Sequence, residues 1–376
     1  MLRLPAVLSS PGTVSEVLIL ALISLSFVSA WNTNIRLRQE ALLPFGFSAR
    51  TAEDPVKHPF QLVADLDRRS AFGAQPDREV EFSYLKTGTL RAVSHGFVPY
   101  IAWDGAADAA TGENFGDLIT GPPPKNASRS SRGMELSDLV RFDGHLIACE
   151  DRTGIIYRIA NGTAVPWITL RDEMSRRRNK GFKCEWSVVK DGHVYFGSHS
   201  ASIKHPHPDG PTMWTGTRLI KKVSANGTIE SVDWNHVYEA LDDHLAIKLG
   251  GFMMQEAVLY SDIAQAWYFL PRTIQYDNST DDPVQDLSPC DFIVTATEDL
   301  TVFTTTALVG PLDWRFGFSA ARFVPGTNDS LILALRSFES EELFATKIVM
   351  FHLNGTIVLP EQIVVKGIKF EGLEFT

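Results

Sequence analysis

One short pattern recurs five times along this chain, and each copy carries an oxygen-bearing side chain. GMELSDL holds Ser137, GFKCEW holds Glu185, GFMMQEAVLY holds Glu256, GFSAARF holds Ser319 and KFEGLEF holds Glu371. β-rich sequence follows four of the copies, commonly as strand, tight turn and strand: LVRF-DG-HLIAC, SVVK-DG-HVYFG, AVLYSDIAQAWYFL and AARFVPGTNDSLILAL. The spacings of 48, 71, 63 and 52 residues are uneven, which suits one four-stranded blade per copy with variable loops. Equivalent positions of successive blades would bring all five side chains around one axis. Three carboxylates and two hydroxyls meeting there would repel one another unless a cation sat among them. Hard oxygen donors of this kind favour calcium over zinc or copper. Taken singly, each copy is also an ordinary strand opening, since Gly-aromatic begins many β-strands. The repetition of an acid or a serine is what favours the ring. The last copy lies close to the end of the sequence, so its blade needs strands from earlier sequence, and FQLVADLD is a candidate.

At 376 residues the chain is long enough for two average domains or one large all-β domain. A hydrophobic content of 44% supports a substantial core. The net charge of −10 and pI near 5.5 argue against general nucleic-acid binding. Arg3 precedes an apolar stretch of 15 residues, Val17 to Trp31, with small residues at Ser29 and Ala30. That is short of the ~20 residues of a membrane span and suits a signal-peptide core cleaved after Ala30. Residues 1–30 therefore read as a signal peptide or a retained signal anchor, and 31–56 as a polar stem. Arg36 and Arg38 beyond the segment leave its orientation open.

Six N-x-S/T sequons, at Asn126, Asn161, Asn226, Asn278, Asn328 and Asn354, agree with entry into the secretory pathway. Several fall where blade turns are expected. The three cysteines are Cys149, Cys184 and Cys290, enough for one internal disulfide at most. Cys149 and Cys184 sit within apolar, strand-like sequence and read as buried free thiols.

From about Phe60 onward, short strand-like runs alternate with Gly, Asp, Asn and Pro. FIVTAT (292–297), TVFTTTA (301–307), LILALR (331–336) and TKIVMFHL (346–353) are examples. Helical periodicity is confined to NHVYEALDDHL (235–245). The stretch 104–131 is rich in Gly, Pro and small polar residues and reads as a long surface loop. Nothing marks a second domain, and one closed β-propeller over 57–376 fits best.

Familiar catalytic signatures are missing: there is no GxSxG elbow, phosphate loop, HExxH or CxxC. Hydrolysis would therefore depend on metal and carboxylates. VADLDRRS offers Asp65 and Asp67, and ACEDRTG offers Glu150, Asp151 and Arg152. A carboxylate beside a metal-bound phosphate can take the proton of an attacking water. Arg152, Lys183 and Arg272 have the charge to neutralise phosphate, and arginine can do so bidentately. DRTG is also a natural turn between strands. The basic run SRRRNK (175–180) reads as a solvated loop, or as a contact for the far part of a phosphorylated substrate. Trp186, Trp267 and Trp314 lie beside the repeated motifs, as packing residues or as platforms for a base.

Longer stretches closely resemble the calcium-activated nucleotidase (apyrase) family. They are RGMELSDLVRFDGHL, EDRTGIIYRI with AVPW downstream, GFKCEW, WYFLPR, GFSAARFVPGTNDSLILAL and KFEGLEF. FSYLKTGTL and VADLD also match, so the similarity covers roughly residues 57–376. The family includes secreted apyrases of blood-feeding arthropods and Golgi or ER nucleoside diphosphatases of animals.

The resemblance implies a five-bladed propeller with calcium on its central axis. It also implies hydrolysis of nucleoside di- and triphosphates to monophosphate and orthophosphate. The family's calcium positions fall on Ser137, Glu185, Glu256, Ser319 and Glu371, the set already isolated from the repeat. Its essential acids correspond to Asp65 and Asp151, and the arginine of its FLPR motif is Arg272. Substrate contacts are assigned to Asp67, Arg152, Lys183, Trp186 and Arg272.

Three departures stand out. Glu150–Asp151 replaces two aspartates, Gln255–Glu256–Ala257 replaces a His-Glu-Ser pattern, and SHSASIKHPH replaces a Gly-rich segment containing Lys-Glu-Trp. The last bears on base preference. The expected protein is thus a secreted or Golgi/ER lumen-facing enzyme with calcium as cofactor and a nucleotide as substrate. No nucleic-acid partner is expected, membrane contact would come only through the N-terminal segment, and dimerisation is left open. A non-catalytic calcium-stabilised propeller is the rival reading. It would keep the five ring residues but have no need of Asp65, Asp151, Arg152 and Arg272. A calcium-dependent lactonase is disfavoured by the lack of a His pair near the repeated motifs.

Overall fold

Strand pairing starts from two-residue turns that the sequence encodes directly. Asp143–Gly144, Asn161–Gly162 and Asp191–Gly192 all hold both central residues at positive φ, between 49° and 75°. This is the geometry of type I′ turns, whose twist matches that of the strands they join. The computed structural model describes residues 56–66, 81–92, 99–107, 112–122, 134–173, 180–200, 204–205, 213–214, 218–248, 250–276, 287–288, 290–340 and 344–376. By internal contacts the chain divides into Met1–Asp54 and Pro55–Thr376, and every described element belongs to the second part.

The architecture is all-β, built from four-stranded antiparallel sheets in chain order. The first combines β1 (Val56–Asp65), β2 (Glu81–Ala92) and β4 (Asp117–Gly121) with the C-terminal strand β24 (Lys369–Phe375), in the order β24-β1-β2-β4. The short β3 (Tyr100–Trp103) also pairs with β2. The second sheet is β5 (Leu136–Phe142), β6 (His145–Glu150), β7 (Ile155–Ala160) and β8 (Thr163–Thr169). One parallel pair, Thr120 with Thr163, joins these two sheets.

The third sheet holds β9 (Trp186–Lys190), β10 (His193–Gly197), β13 (Leu219–Ser224) and β14 (Ile229–Asp233), with the ribbon β11 (Lys204–His205) and β12 (Met213–Trp214) between β10 and β13 in sequence. Helix α1 (Asn235–His244) follows, where helical periodicity is expected. The fourth sheet is β15 (Phe252–Ser261), β16 (Ala266–Gln275), β18 (Phe292–Thr297) and β19 (Phe303–Ala307), with β17 (Leu287–Ser288) on β16. The fifth is β20 (Gly317–Phe323), β21 (Leu331–Glu339), β22 (Phe344–His352) and β23 (Ile357–Lys366).

Five strands, one at an edge of each sheet, touch in a closed cycle: β24 with β5, β5 with β9, β9 with β15, β15 with β20, and β20 with β24. Apolar clusters fill the seams between successive sheets. Leu62, Leu333 and Phe370 lie in the seam between the fifth and first sheets, and α1 places Val237, Tyr238 and Leu241 between the third and fourth. The cycle closes because FQLVAD in β1 pairs with KFEGLEF in β24, from Phe60 opposite Phe375 to Asp65 opposite Lys369. Residues distant in sequence thus complete one sheet.

Two expectations are corrected. The loop assigned to 104–131 contains a strand, because DLITG forms β4 on Glu81–Leu85. Gly116, at φ +84°, turns the chain so close to the backbone of Leu85 and Lys86 that no Cβ fits there. Cys149 and Cys184 are joined as a disulfide, with a Cα separation of 6.0 Å, and Cys290 is buried outside it. Apolar surroundings were legible in the sequence, but the packing of β6 against the entry to β9 was not. Closing a loop of this length, 35 residues apart in sequence, stabilises a fold by about 4 kcal/mol in the chain-entropy view.

Because β24 is the inner strand of the first sheet, losses there should spread to β1. Leu373 has no exposed surface, and Leu373→Ala should destabilise by about 2–5 kcal/mol. Urea unfolding would measure the loss, and amide exchange should show 60–65 and 369–375 losing protection together. Protection retained in β1 would mean that the two strands are not one cooperative element.

Candidate active site

Four of the five repeated oxygen-bearing residues are skipped in a strand ladder, and Glu185 stands at the entry to β9. In β5, Leu136 pairs with Glu150 and Asp138 with Cys149, so Ser137 is skipped in the ladder. Glu256 is skipped between Gln255 and Ala257, and Ser319 between Phe318 and Ala320. Glu371 is skipped where β24 runs along Val63 and Ala64. The Glu185 amide donates to the Gly197 carbonyl at 2.8 Å, while Trp186 pairs with the same Gly197. Such bulges bend a strand and re-aim a side chain. All five residues are buried, and all five lie on the strands of the closed cycle or at their entry.

Three cations lie between the acids. Lys183 Nζ is 2.5 Å from Asp151 and also pairs with Glu185. Arg272 Nη1 bridges Glu256 and Glu371, at 2.8 Å from the latter. Lys369 Nζ lies 2.7 Å from Asp65 and 3.5 Å from Glu371. Among the described residues, no three His, Cys, Asp or Glu side chains converge at metal-ligand spacing.

Burial pushes Asp65 and Asp151 above the usual carboxylate range, against the pull of Lys369 and Lys183. Burial likewise takes Glu256 up to about 8, with Arg272 opposing and Glu185 and Glu371 adding repulsion. Burial would also raise Glu371, but Lys369 and Arg272 hold it at about 2. Asp65 feels Asp151 and Glu371, and Asp151 feels Glu185 and Glu371, so the acids share one field.

Several of these oxygens have no hydrogen-bond partner among the described residues: Ser137 Oγ, Asp65 Oδ1 and Asp151 Oδ1. Ser319 Oγ reaches the Phe370 carbonyl only at 3.5 Å. Buried polar atoms are ordinarily satisfied. A set of unpartnered hard oxygens beside Glu185, Glu256 and Glu371 is chemically suited to a calcium ion.

Other expected residues fall differently. Arg152 lies 3.5 Å from Glu81, 3.7 Å from Glu135 and 3.5 Å from Glu150, in an acidic pocket beside Asp151. Trp186, expected as a substrate contact, is fully buried, packs on Trp234 at 5.7 Å, and donates Nε1 to the Ser198 carbonyl at 3.2 Å. A Cβ on Gly197 would fall inside its indole. Trp267 is also buried, whereas Trp314 is exposed. Asp67 lies outside the described residues. Of the basic run 175–180 only Lys180 is described, and it pairs with Asp172 at 2.9 Å.

Two participants escaped the sequence reading. Lys369 stands two residues before Glu371 as Lys183 stands two before Glu185, and alternation in extended chain puts each pair on one side. That K-x-E repeat was the available signal. His199 is held down to about 4 by burial and by the nearby Lys183, Lys180 and Arg272, so its imidazole is neutral. It lies in SHSASIKHPH, where the sequence departs from the resemblance.

Comparison with known proteins gives the family. The Apyrase family model matches residues 82–376. Soluble calcium-activated nucleotidase 1 of Rattus norvegicus is 33% identical over 91% of this chain and 81% of its own length. Apyrase apy-1 of Caenorhabditis elegans is 33% identical over 88% of this chain and 87% of its own. An apyrase of Cimex lectularius is 31% identical over 66% and 67% respectively. The chain belongs to the apyrase family.

Arg272 holds two buried carboxylates apart from solvent, so its loss should be costly. Arg272→Met leaves Glu256 and Glu371 without their shared cation and should destabilise the metal-free protein by about 3–5 kcal/mol. An unchanged denaturation midpoint in chelator would show that the acids do not depend on it.

Proposed function

We propose that this protein hydrolyses nucleoside di- and triphosphates to nucleoside monophosphate and orthophosphate, in a calcium-dependent reaction at the centre of a five-bladed β-propeller. As a member of the apyrase family it is a nucleotide-hydrolysing enzyme, and calcium activation is part of the rat relative's name. The observation that carries the reading is the set of bulged, buried oxygen donors on adjacent strands of one cycle. The propeller domain is assigned to 57–376, preceded by a signal segment at 1–30 and a stem at 31–56. Exposed turns at Asn161, Asn226, Asn328 and Asn354 agree with glycosylation in a secreted or lumenal protein.

Ser137, Glu185, Glu256, Ser319 and Glu371 are the residues that would hold calcium. When bound, calcium supplies neutralising charge for the phosphate chain and polarises the terminal phosphoryl group. Asp65 or Asp151 orients the attacking water and takes its proton on Oδ1, the oxygen left without a partner in each. Lys183 and Arg272 stabilise the negative charge that gathers on the transferred group. Arg152 and Asp67 are assigned to the substrate, and Arg152 would exchange part of its acidic surroundings for phosphate.

Calcium should raise both phosphate release and melting temperature, since it binds the native ring and hardly binds the unfolded chain. Magnesium should substitute poorly because it demands a tighter octahedral shell. Equal rates in calcium and in excess chelator would sink this reading, and unaltered calcium titrations for Glu371→Ala would remove it from the ligand set. Asp65→Asn and Asp151→Asn keep shape while removing a base. The variant that loses the base should fall about 10²–10⁴-fold in kcat with calcium affinity preserved. Near wild-type kcat in both variants would leave the non-catalytic propeller as the better account.

A further inference from the structure

Glu185 differs from the other four ring residues in what holds it. Ser137, Glu256, Ser319 and Glu371 lie within β5, β15, β20 and β24, with ladder pairing on both sides. Glu185 precedes β9, at the end of a stretch, 182–185, that belongs to no strand. The stretch is tied down by the Phe182 amide on the Leu170 carbonyl at 3.1 Å and the Glu185 amide on Gly197 at 2.8 Å. Cys184, between Lys183 and Glu185, is bonded to Cys149 of β6, two residues before Asp151. Both cysteines are buried in the seam between the second and third sheets. The Lys183–Asp151 ion pair spans the same gap on the site side, but a lysine on a four-carbon stem fixes distance weakly.

We propose that the Cys149–Cys184 disulfide is the positioning device of this site. It takes the place of the missing strand ladder at the entry to β9 and sets Glu185 against Asp151. Cys149 and Cys184 are positioning residues: successive side chains of extended backbone point to opposite faces, so anchoring Cys184 in the seam turns Glu185 toward the axis. The inference rests on the reading of Glu185 as a calcium ligand and Asp151 as a site acid. Losing the tether would loosen both without removing either.

The test compares the wild-type chain with two double variants. Cys149→Ala/Cys184→Ala removes the bond and some volume, and Cys149→Val/Cys184→Ala removes the bond but refills the seam. Calcium binding is read by titration calorimetry, and amide exchange across 182–185 is read without calcium. Both variants should bind calcium about 10–100-fold more weakly, the range seen when groups supporting metal ligands are lost. Both should exchange faster at 182–185, while the refilled variant recovers melting temperature. Cys290→Ala, which alters a buried cysteine outside the disulfide, should leave calcium binding and exchange unchanged. The proposal is overturned if the refilled variant binds calcium as the wild type does. It is equally overturned if peptide mapping of unreduced protein finds Cys149 and Cys184 both free. If the wild type binds no calcium, the site reading fails instead. Exchange at 182–185 then decides the tether alone, and unchanged protection there would overturn it.

Discussion

Five enclosed carboxylates on neighbouring strands feel one another's charge, and the repulsion among them conditions the rest of the structure. Asp65, Glu185, Glu256 and Glu371 are each less than a tenth exposed, and the Asp151 carboxylate is largely enclosed. Isolated charges in such surroundings would cost several kcal/mol each. Lys183, Arg272 and Lys369 make the cluster tolerable: the first two are each shared between two acids, and Lys369 among Asp65, Glu371 and Glu339. The cations come from the same strands, or strand entries, as the acids, or from a direct neighbour, so the charge balance depends on the strands keeping their cyclic order. That order depends in turn on the apolar seams and on β1 receiving β24.

The bulges explain how a regular β structure can point so many polar groups at one place. A strand that kept perfect alternation through Ser137, Glu256, Ser319 and Glu371 would set these residues by the pleat alone. Skipping them in the ladder lets the core-facing residues on either side stay in register, as with Phe318 and Ala320 around Ser319. Packing is therefore kept while the oxygen is turned out of the sheet. The same division of labour operates without a bulge at Cys184 and Glu185, where one residue is anchored in a seam and the next faces the acids.

Most of the frame was legible in the sequence because it is local. The DG and NG turns, the runs FIVTAT and LILALR, the helix at 235–245 and the repeated acid or serine are all properties of short stretches, and the structure contains each of them. What escaped depends on distant contacts. DLITG reads as loop in a segment crowded with Gly and Pro, yet β2 offers it a partner and Gly116 gives the close approach. Cys149 and Cys184 read as two buried thiols because nothing in either stretch reports that they face each other across a seam. Trp186 read as a candidate platform because it lies beside a repeated motif. Its indole points the other way, over Gly197. Glu185, Glu256 and Glu371 stood out by repetition and Asp65 and Asp151 by short acidic runs, whereas one of the three cations, Lys369, was missed. Lys183 was noticed beside Glu185, but the same spacing at Lys369 and Glu371 was not used.

The charges of the cluster also bear on what it can hold. Asp65, Asp151, Glu185, Glu256 and Glu371 outnumber Lys183, Arg272 and Lys369 by two, and Lys369 is also drawn to Glu339. Burial is the main upward pressure on Asp65, Asp151 and Glu256, the neighbouring cations oppose it, and repulsion from the other acids adds to it. A cation whose shell accepts six to eight oxygens without strict angles suits donors set on five separately anchored backbone segments. Those segments cannot draw together around a small ion without breaking the seams behind them. On the proposed reading, this is why the ring would prefer calcium to magnesium: selectivity lies in the rigidity of the strands rather than in the identity of the ligands.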